Sequence, residues 1–173
     1  MLNPKLEEAL NKQLNAEMYS SYLYLSMAAY FHSADMEGFA HWMSMQSQEE
    51  MAHAMKFFQF INDRDGQVVL DQLDAPPSKW KSALDVFEIT YKHECDVTES
   101  INQLADLADD VNDRAVKVFL QWFVSEQVEE EAAVKSIIQK LKMVGDSGSG
   151  LYMLDKDLAA RAEIAPAAGE EAI

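Results

Sequence analysis

Apolar residues recur at spacings of three and four along most of this chain, the period of helices that bury one face. Four stripes emerge. The first is Leu6, Leu10, Leu14, Glu17, Ser21, Tyr24, Ala28 and Phe31, and the second is Phe39, Met43, Gln46, Glu50, His53, Phe57 and Phe60. The third is Leu84, Phe87, Tyr91, Glu94, Thr98, Ile101, Ala105 and Ala108, and the fourth is Val116, Leu120, Phe123, Gln127, Glu130, Val134, Ile137 and Leu141. Gly and Pro, which interrupt regular structure, are absent from 5–32, 39–65 and 78–144. They gather at Asp65-Gly66, at Ala75-Pro76-Pro77-Ser78 and between Gly145 and Gly150.

The pattern predicts helices over 5–32, 36–64, 82–110 and 113–144, with a short fifth helix over 151–163. Asn3-Pro4 offers a cap followed by proline in the first turn, Ser82 and Asn112 are candidate N-caps, and Gly145 is a candidate C-cap. Short links within the first and second pairs predict two antiparallel hairpins. The long link over 65–81 lets the second pair run in the opposite sense. The expected fold is therefore all-α: a four-helix bundle with a long crossover between its second and third helices and a short fifth helix. A length of 173 residues suits one domain, taken as 1–163, with a small, acidic, mobile tail over 164–173.

Each stripe is apolar at both ends and polar near its middle. Helices of similar length packed side by side bring their midpoints to one height, so Glu17, Glu50, His53, Glu94, Gln127 and Glu130 should converge inside the bundle. An unpaired buried carboxylate costs several kcal/mol or takes up a proton. No Lys or Arg lies near the centre of any stripe, and Arg64 comes only at the end of the second helix. The missing positive charge must be imported, and a pair of metal ions supplies it. Glu50 and His53, at i and i+3, share one helix face and can share one metal.

Thirty Asp+Glu against fourteen Lys+Arg give a net charge of −16, which disfavours a basic surface for nucleic acid or anionic membranes and favours cations as partners. No stretch has the roughly 20 apolar residues of a spanning helix, and the polar N-terminus lacks the core of a signal peptide. With one cysteine and no disulfide framework, the expected location is cytoplasmic. Cys95 follows Glu94 and points about 100° away round the helix, so a buried, inert thiol is expected. Met27, Met43, Met45, Met51 and Met55 are read as core or interface filler. His32, His41 and His93 lie off the stripes and are read as surface or interface residues. A second apolar face of the first helix, Tyr19, Tyr22, Leu23 and Tyr30, suggests contact with another subunit.

Asn15-Ala-Glu17 with Tyr24, Gln48-Glu-Glu50-Met-Ala-His53, Tyr91-Lys-His-Glu94 and the run from Phe119 to Glu131 together resemble the non-haem ferritins of bacteria and archaea. Residues 150–156, Gly-Leu-Tyr-Met-Leu-Asp-Lys, resemble the start of that family's fifth helix. The resemblance covers the chain to about residue 160. It implies a ferritin-like fold, and a ferroxidase centre in which Glu17, Glu50 and His53 hold a first iron. Glu50 would bridge to a second iron held by Glu94 and Glu130, with Gln127 close by. Glu49, Glu126 and Glu129, with Glu130 shared, match a third iron site, and Tyr24 matches a tyrosine able to donate an electron. The resemblance further implies oxidation of Fe²⁺ by O₂ or H₂O₂, and storage of ferric mineral in a hollow homo-oligomer, usually of twenty-four subunits.

One departure from the symmetric di-iron proteins matters. Where they carry a second Glu-x-x-His, this chain has Gln127-Val-Glu-Glu130. A second iron without histidine argues against bacterioferritin and for a site that iron can leave. Ala52 precedes His53 and could not ligate haem, so no haem is expected. The alternatives are a discrete di-iron oxidase or peroxidase of the rubrerythrin type, disfavoured by the missing histidine and Cys-x-x-Cys, and a non-catalytic helical protein with solvated carboxylates.

Overall fold

A computed structural model describes residues 2–162 and contains α1 (Pro4–Ser33), α2 (Glu37–Asp63), α3 (Ala83–Asp110), α4 (Arg114–Val144) and α5 (Gly148–Leu158). The tail expected over 164–173 lies outside the described residues, as do the first and last residues of the domain expected over 1–163. The first four helices fall within a residue of their expected bounds. The fifth starts three residues early because Ser147 caps it, accepting a hydrogen bond from the Gly150 N–H at 3.2 Å, and it ends at Leu158 rather than near 163. None of the described helices is long and apolar enough to cross a membrane.

α1 and α2 form one antiparallel hairpin, and α3 and α4 form the other. The crossover between them is laid along α1. Asn11 Nδ2 donates to the Gln67 carbonyl at 2.9 Å, Asn15 Nδ2 donates to the Val69 carbonyl at 2.8 Å, and Ser26 Oγ donates to the Pro77 carbonyl at 2.7 Å. These contacts climb α1 from its N-terminal half towards its C-terminus, so the loop carries the chain back along the bundle. α3 then starts beside the first turns of α2 and runs parallel to it. Asp113, not the neighbouring Asn112, caps α4: its Oδ1 accepts from the Ala115 and Val116 N–H groups. Asp113 also takes both arms of Arg64 at 3.1 and 2.8 Å, joining the end of α2 to the start of α4. Asn112 instead takes the left-handed turn position at φ 57°.

The apolar core comes in two parts, one at each end of the bundle. Phe31, Phe39 and Phe87 pack together at one end, with Phe31 and Phe39 centroids 5.1 Å apart. Leu6, Leu10, Leu14, Phe57 and Phe123 fill the other, with Phe57 and Phe123 centroids 4.4 Å apart. Every residue of the first and fourth stripes is buried. α3 is rotated from expectation. Val86, Thr90, Val97 and Leu104 are buried alongside Phe87, Glu94 and Ile101, while Leu84, Tyr91, Thr98 and Ala105 lie on its half-buried flank. The rotation follows from α3 packing against α1 as well as α4. Part of the second apolar face of α1 is covered within the chain, by α3 and by the crossover. Leu23 is buried within the chain, Tyr19 packs on His93, and Tyr30 packs on Trp80, leaving Tyr22 exposed. Met27, Met43 and Met45 are core residues, whereas Met51 and Met55 are exposed.

α5 closes one end by capping a distant helix. Met36 at the N-cap of α2 has no side-chain acceptor, and Asp155 Oδ1 accepts from the Gly38 and Phe39 N–H groups at 2.9 and 3.0 Å instead. A Cβ at Gly38 would sit 1.6 Å from the Asp155 carbonyl oxygen, so only glycine admits α5 this close. Asp155→Ala is expected to cost about 1–2 kcal/mol, as loss of a cap does, and to lower the thermal midpoint by several degrees. Gly38→Ala is expected to cost more because it dislodges the helix. Calorimetric melting of both variants checks the order; a harmless Gly38→Ala would show that α5 is not held this way.

Candidate metal centre

Between the two apolar layers lies a polar one, built by the middles of four helices. Glu17 from α1, Glu50 and His53 from α2, Glu94 from α3, and Gln127 and Glu130 from α4 are all buried. Glu17, Glu50 and His53 each present a ligand atom within 4.8 Å of the others, and His53 Nδ1 lies 3.5 Å from Glu50 Oε2. Gln13, one turn before Glu17, donates to its Oε1 at 2.8 Å. The other oxygen, Glu17 Oε2, is buried with no hydrogen-bond partner. On the far side, the Tyr24 hydroxyl donates to Glu94 Oε1, and Gln127 Nε2 donates to Glu94 Oε2 at 3.2 Å. Gln46 Nε2 donates to Glu130 Oε2 at 2.7 Å.

No Lys or Arg pairs with Glu17, Glu50, Glu94 or Glu130 among the described residues, so protons must do what a cation would. Burial, reinforced by Glu50, pushes the Glu17 carboxyl well above the usual range. Burial, then Glu94, does the same to Glu50. Burial also raises Glu94, against the opposing hydrogen bonds from Tyr24 and Gln127. Glu130 is pushed up to about 7 by burial and by Glu94. The Tyr24 phenol is raised by burial and then by Glu94, and stays protonated as a donor. Oxygen donors with one imidazole suit Fe²⁺, and also accept Zn²⁺ or Mn²⁺. A metal entering here would displace protons, so binding releases them.

The outer carboxylates stand apart from this layer. Glu49 and Glu126 are half-buried on α2 and α4, and Glu129 is exposed. Glu49 is paired with Arg161, a cation that the four stripes gave no hint of because it lies beyond α5. Three further residues were given no role at the site by the sequence reading, although Gln46 stood on the second stripe. Gln13 and Gln46 support carboxylates from one turn away, at the i to i+4 spacing that could have flagged them. His93 is no surface histidine: its Nε2 lies 2.8 Å from Ser20 Oγ, and its ring stands edge-on to Tyr24 at 5.9 Å. Burial holds its pKa below the usual value. His32 is exposed beside Glu37 as expected, and His41 Nε2 donates to the Arg161 carbonyl at 2.9 Å. Cys95 is half-buried, and burial together with Glu131 pushes its thiol up, keeping it in the less reactive form.

Residues 7–144 match the ferritin-like domain family. The chain belongs to the ferritin family. It is 44% identical over 161 residues to a bacterial non-heme ferritin of Bacteroides fragilis, covering 93% of this chain and all of the relative. It is 42% identical over 158 residues to the bacterial non-heme ferritin of Escherichia coli O157:H7, covering 91% and 96%. Among solved structures, this ferritin superposes on an open pore ferritin from Archaeoglobus fulgidus with TM-score 0.93 and 49% identity, covering 94% of this chain and all of the other. A humanized archaeal ferritin gives TM-score 0.94 and 47% identity over 95% of this chain.

The raised carboxyls set a sign for pH. In the metal-free protein Glu130 keeps its proton to about 7, whereas an unfolded chain releases it near 4.5. The folded state therefore binds more protons between those values, and stability falls as pH rises through that window. Metal-free protein is expected to melt higher at pH 5.5 than at pH 8, and Glu130→Gln is expected to shrink that difference. Equal pH sensitivity in parent and variant, measured by scanning calorimetry after chelation, would contradict a buried, protonated Glu130.

Proposed function

We propose that this protein is a ferroxidase that stores iron, taking Fe²⁺ as substrate at the buried layer and retaining Fe³⁺ as mineral inside a hollow homo-oligomeric shell of twenty-four subunits. The supporting observation is the set of buried carboxylates with no Lys or Arg partner, one of which leaves an oxygen unpartnered. Glu17, Glu50 and His53 hold the first iron. Glu50 bridges to the second, which Glu94 and Glu130 bind with Gln127 adjacent. A bridging carboxylate suits two metals about 3.5–4 Å apart. Each Fe²⁺ gives up one electron, so a pair reduces O₂ with two protons to H₂O₂, or H₂O₂ with two protons to water. Ligand carboxyls that lose protons when iron binds are nearby donors for that step. Tyr24, hydrogen-bonded to Glu94, is placed to supply a further electron.

Glu49, Glu126, Glu129 and the shared Glu130 form an outer, third iron site. With no histidine at the second site, bound Fe³⁺ is held only by oxygen donors and can move on to the cavity. The names of the bacterial relatives and the open pore form described for the archaeal neighbour support storage in a shell. A cytoplasmic location fits the single cysteine. Neither nucleic acid nor membrane is a partner under this reading, and no haem takes part.

Fe²⁺ added in air to the metal-free protein tests the reading, with oxidation rate and particle size followed together. A particle of several hundred kDa that retains hundreds of irons is expected. Glu50→Ala and His53→Ala should each slow the fast oxidation phase at least a hundredfold and leave assembly intact. If either variant oxidises iron at the parent rate, the site assignment is wrong. Rapid turnover by a monomer or dimer with no retained iron would rule out storage.

A further inference from the structure

Arg161, three residues past the end of α5, returns to the flank of α2 and is held there by its carbonyl and by both terminal nitrogens of its guanidinium. Its carbonyl accepts from His41 Nε2 at 2.9 Å, and its guanidinium carbon lies 4.5 Å from the Trp42 ring centroid. Nη1 donates to the Trp42 carbonyl at 3.2 Å and to Gln46 Oε1 at 3.0 Å, while Nη2 donates to Glu49 Oε2. Trp42, Gln46 and Glu49 are spaced by four and three residues, one ridge of α2. The Arg161 and Glu49 side chains are 22% and 27% exposed, enough for an ion to reach them and little enough to limit screening.

Gln46 carries this contact inward. An amide has one accepting and one donating end. With the guanidinium on its oxygen, Gln46 must turn its N–H₂ towards Glu130 Oε2, 2.7 Å away, and Glu50 Oε1, 3.5 Å away. Arg161 thus touches one acidic residue of the outer site and orients the amide that touches another.

We propose that Arg161 is a built-in competitor for the outer iron site: a cation carried by the chain itself, which occupies Glu49 until iron displaces it. This rests on reading Glu49, Glu126, Glu129 and Glu130 as that site. Fe²⁺ on Glu49 and a guanidinium on the same carboxylate are like charges a few ångströms apart, so each weakens the other. Loading the outer site therefore releases Nη2, and the coupling is reciprocal: what holds Arg161 in place weakens the third iron. The segment after α5 becomes a reporter of outer-site occupancy, less ordered when iron is bound.

Anaerobic Fe²⁺ titration calorimetry of the assembled, metal-free protein tests this with Arg161→Gln and Glu49→Gln. The parent should bind three irons per subunit. Arg161→Gln should bind the weakest of them about five- to tenfold tighter, the scale of a partly shielded ion pair with added stacking. Glu49→Gln should lose that weakest iron. If Glu49→Gln still binds three, the outer-site reading fails and the proposal with it. If Glu49→Gln loses one but Arg161→Gln binds it no tighter than the parent, the outer site stands and the role of Arg161 is overturned. Should Arg161→Gln fail to assemble, hydrogen exchange on the parent decides. The Leu158–Arg161 amides should exchange faster once the third Fe²⁺ binds, and unchanged exchange overturns the proposal.

Discussion

Four carboxylates held in the dry middle of one helical bundle constrain everything else in this structure. Charged and unpaired, each would cost several kcal/mol to bury. The chain meets that cost in two ways, both visible in the polar layer. Carboxyls keep protons they would lose in water, Glu130 up to about 7. Neutral donors satisfy part of the rest: Gln13 on Glu17, Tyr24 and Gln127 on Glu94, Gln46 on Glu130. The other oxygen of Glu17 has no neutral donor and only Glu50 to share a proton with. An apolar layer would pack as well without any of this. The polar layer therefore reads as a place kept for a cation, and the two apolar layers flanking it as what holds it together.

Those flanking layers explain the length and wiring of the helices. A site assembled from four helices needs each midpoint at one height, and an error of one turn would move a ligand by about 5.4 Å. Two apolar anchors per helix, one on each side of the polar residue, fix that register better than one. The Phe31, Phe39 and Phe87 group locks one end, and the Phe57 and Phe123 pair locks the other. The crossover, tied along α1 through Asn11, Asn15 and Ser26, sets α3 antiparallel to α1, so that Glu94 arrives opposite Glu17 and Tyr24. Arg64 and Asp113 pin α2 to α4 at the end away from α5.

What a helix does by itself was legible in the sequence. Periodicity gave the burial of all the residues in the α1 and α4 stripes, and it placed Glu17, Glu50, His53, Glu94, Gln127 and Glu130 in the interior. Placement around α3 was less legible, because Glu94 sits between two possible apolar faces and only the second neighbour, α1, decides how far the helix turns. That same turn brings His93 against Tyr24, where its sequence position suggested the surface. Asn112 and Asp113 are both good caps, and the left-handed turn that Asn112 tolerates leaves Asp113 to cap. Asp155 and Arg161 could not be found from pattern at all. Each acts on α2 from more than a hundred residues downstream, and nothing in a helical period records where the chain lands after a corner.

The asymmetry of the polar layer bears on what the site is good for. His53 stands on one side only, beside Glu17 and Glu50, while the α4 side offers Glu130 and an amide. Under the proposed assignment the first iron has a nitrogen donor and the second has oxygen donors alone. A pair of equally firm sites would favour keeping both irons through many turnovers. Unequal sites favour release of the looser ion after oxidation, which under the proposed assignment passes to Glu126, Glu129 and Glu49. The site carboxylates therefore differ by depth: buried and proton-buffered at the centre, more exposed at the flank, and at Glu49 already occupied by the chain's own arginine. A protein that only needed to hold a metal would have no use for that progression, whereas one that passes iron onward does.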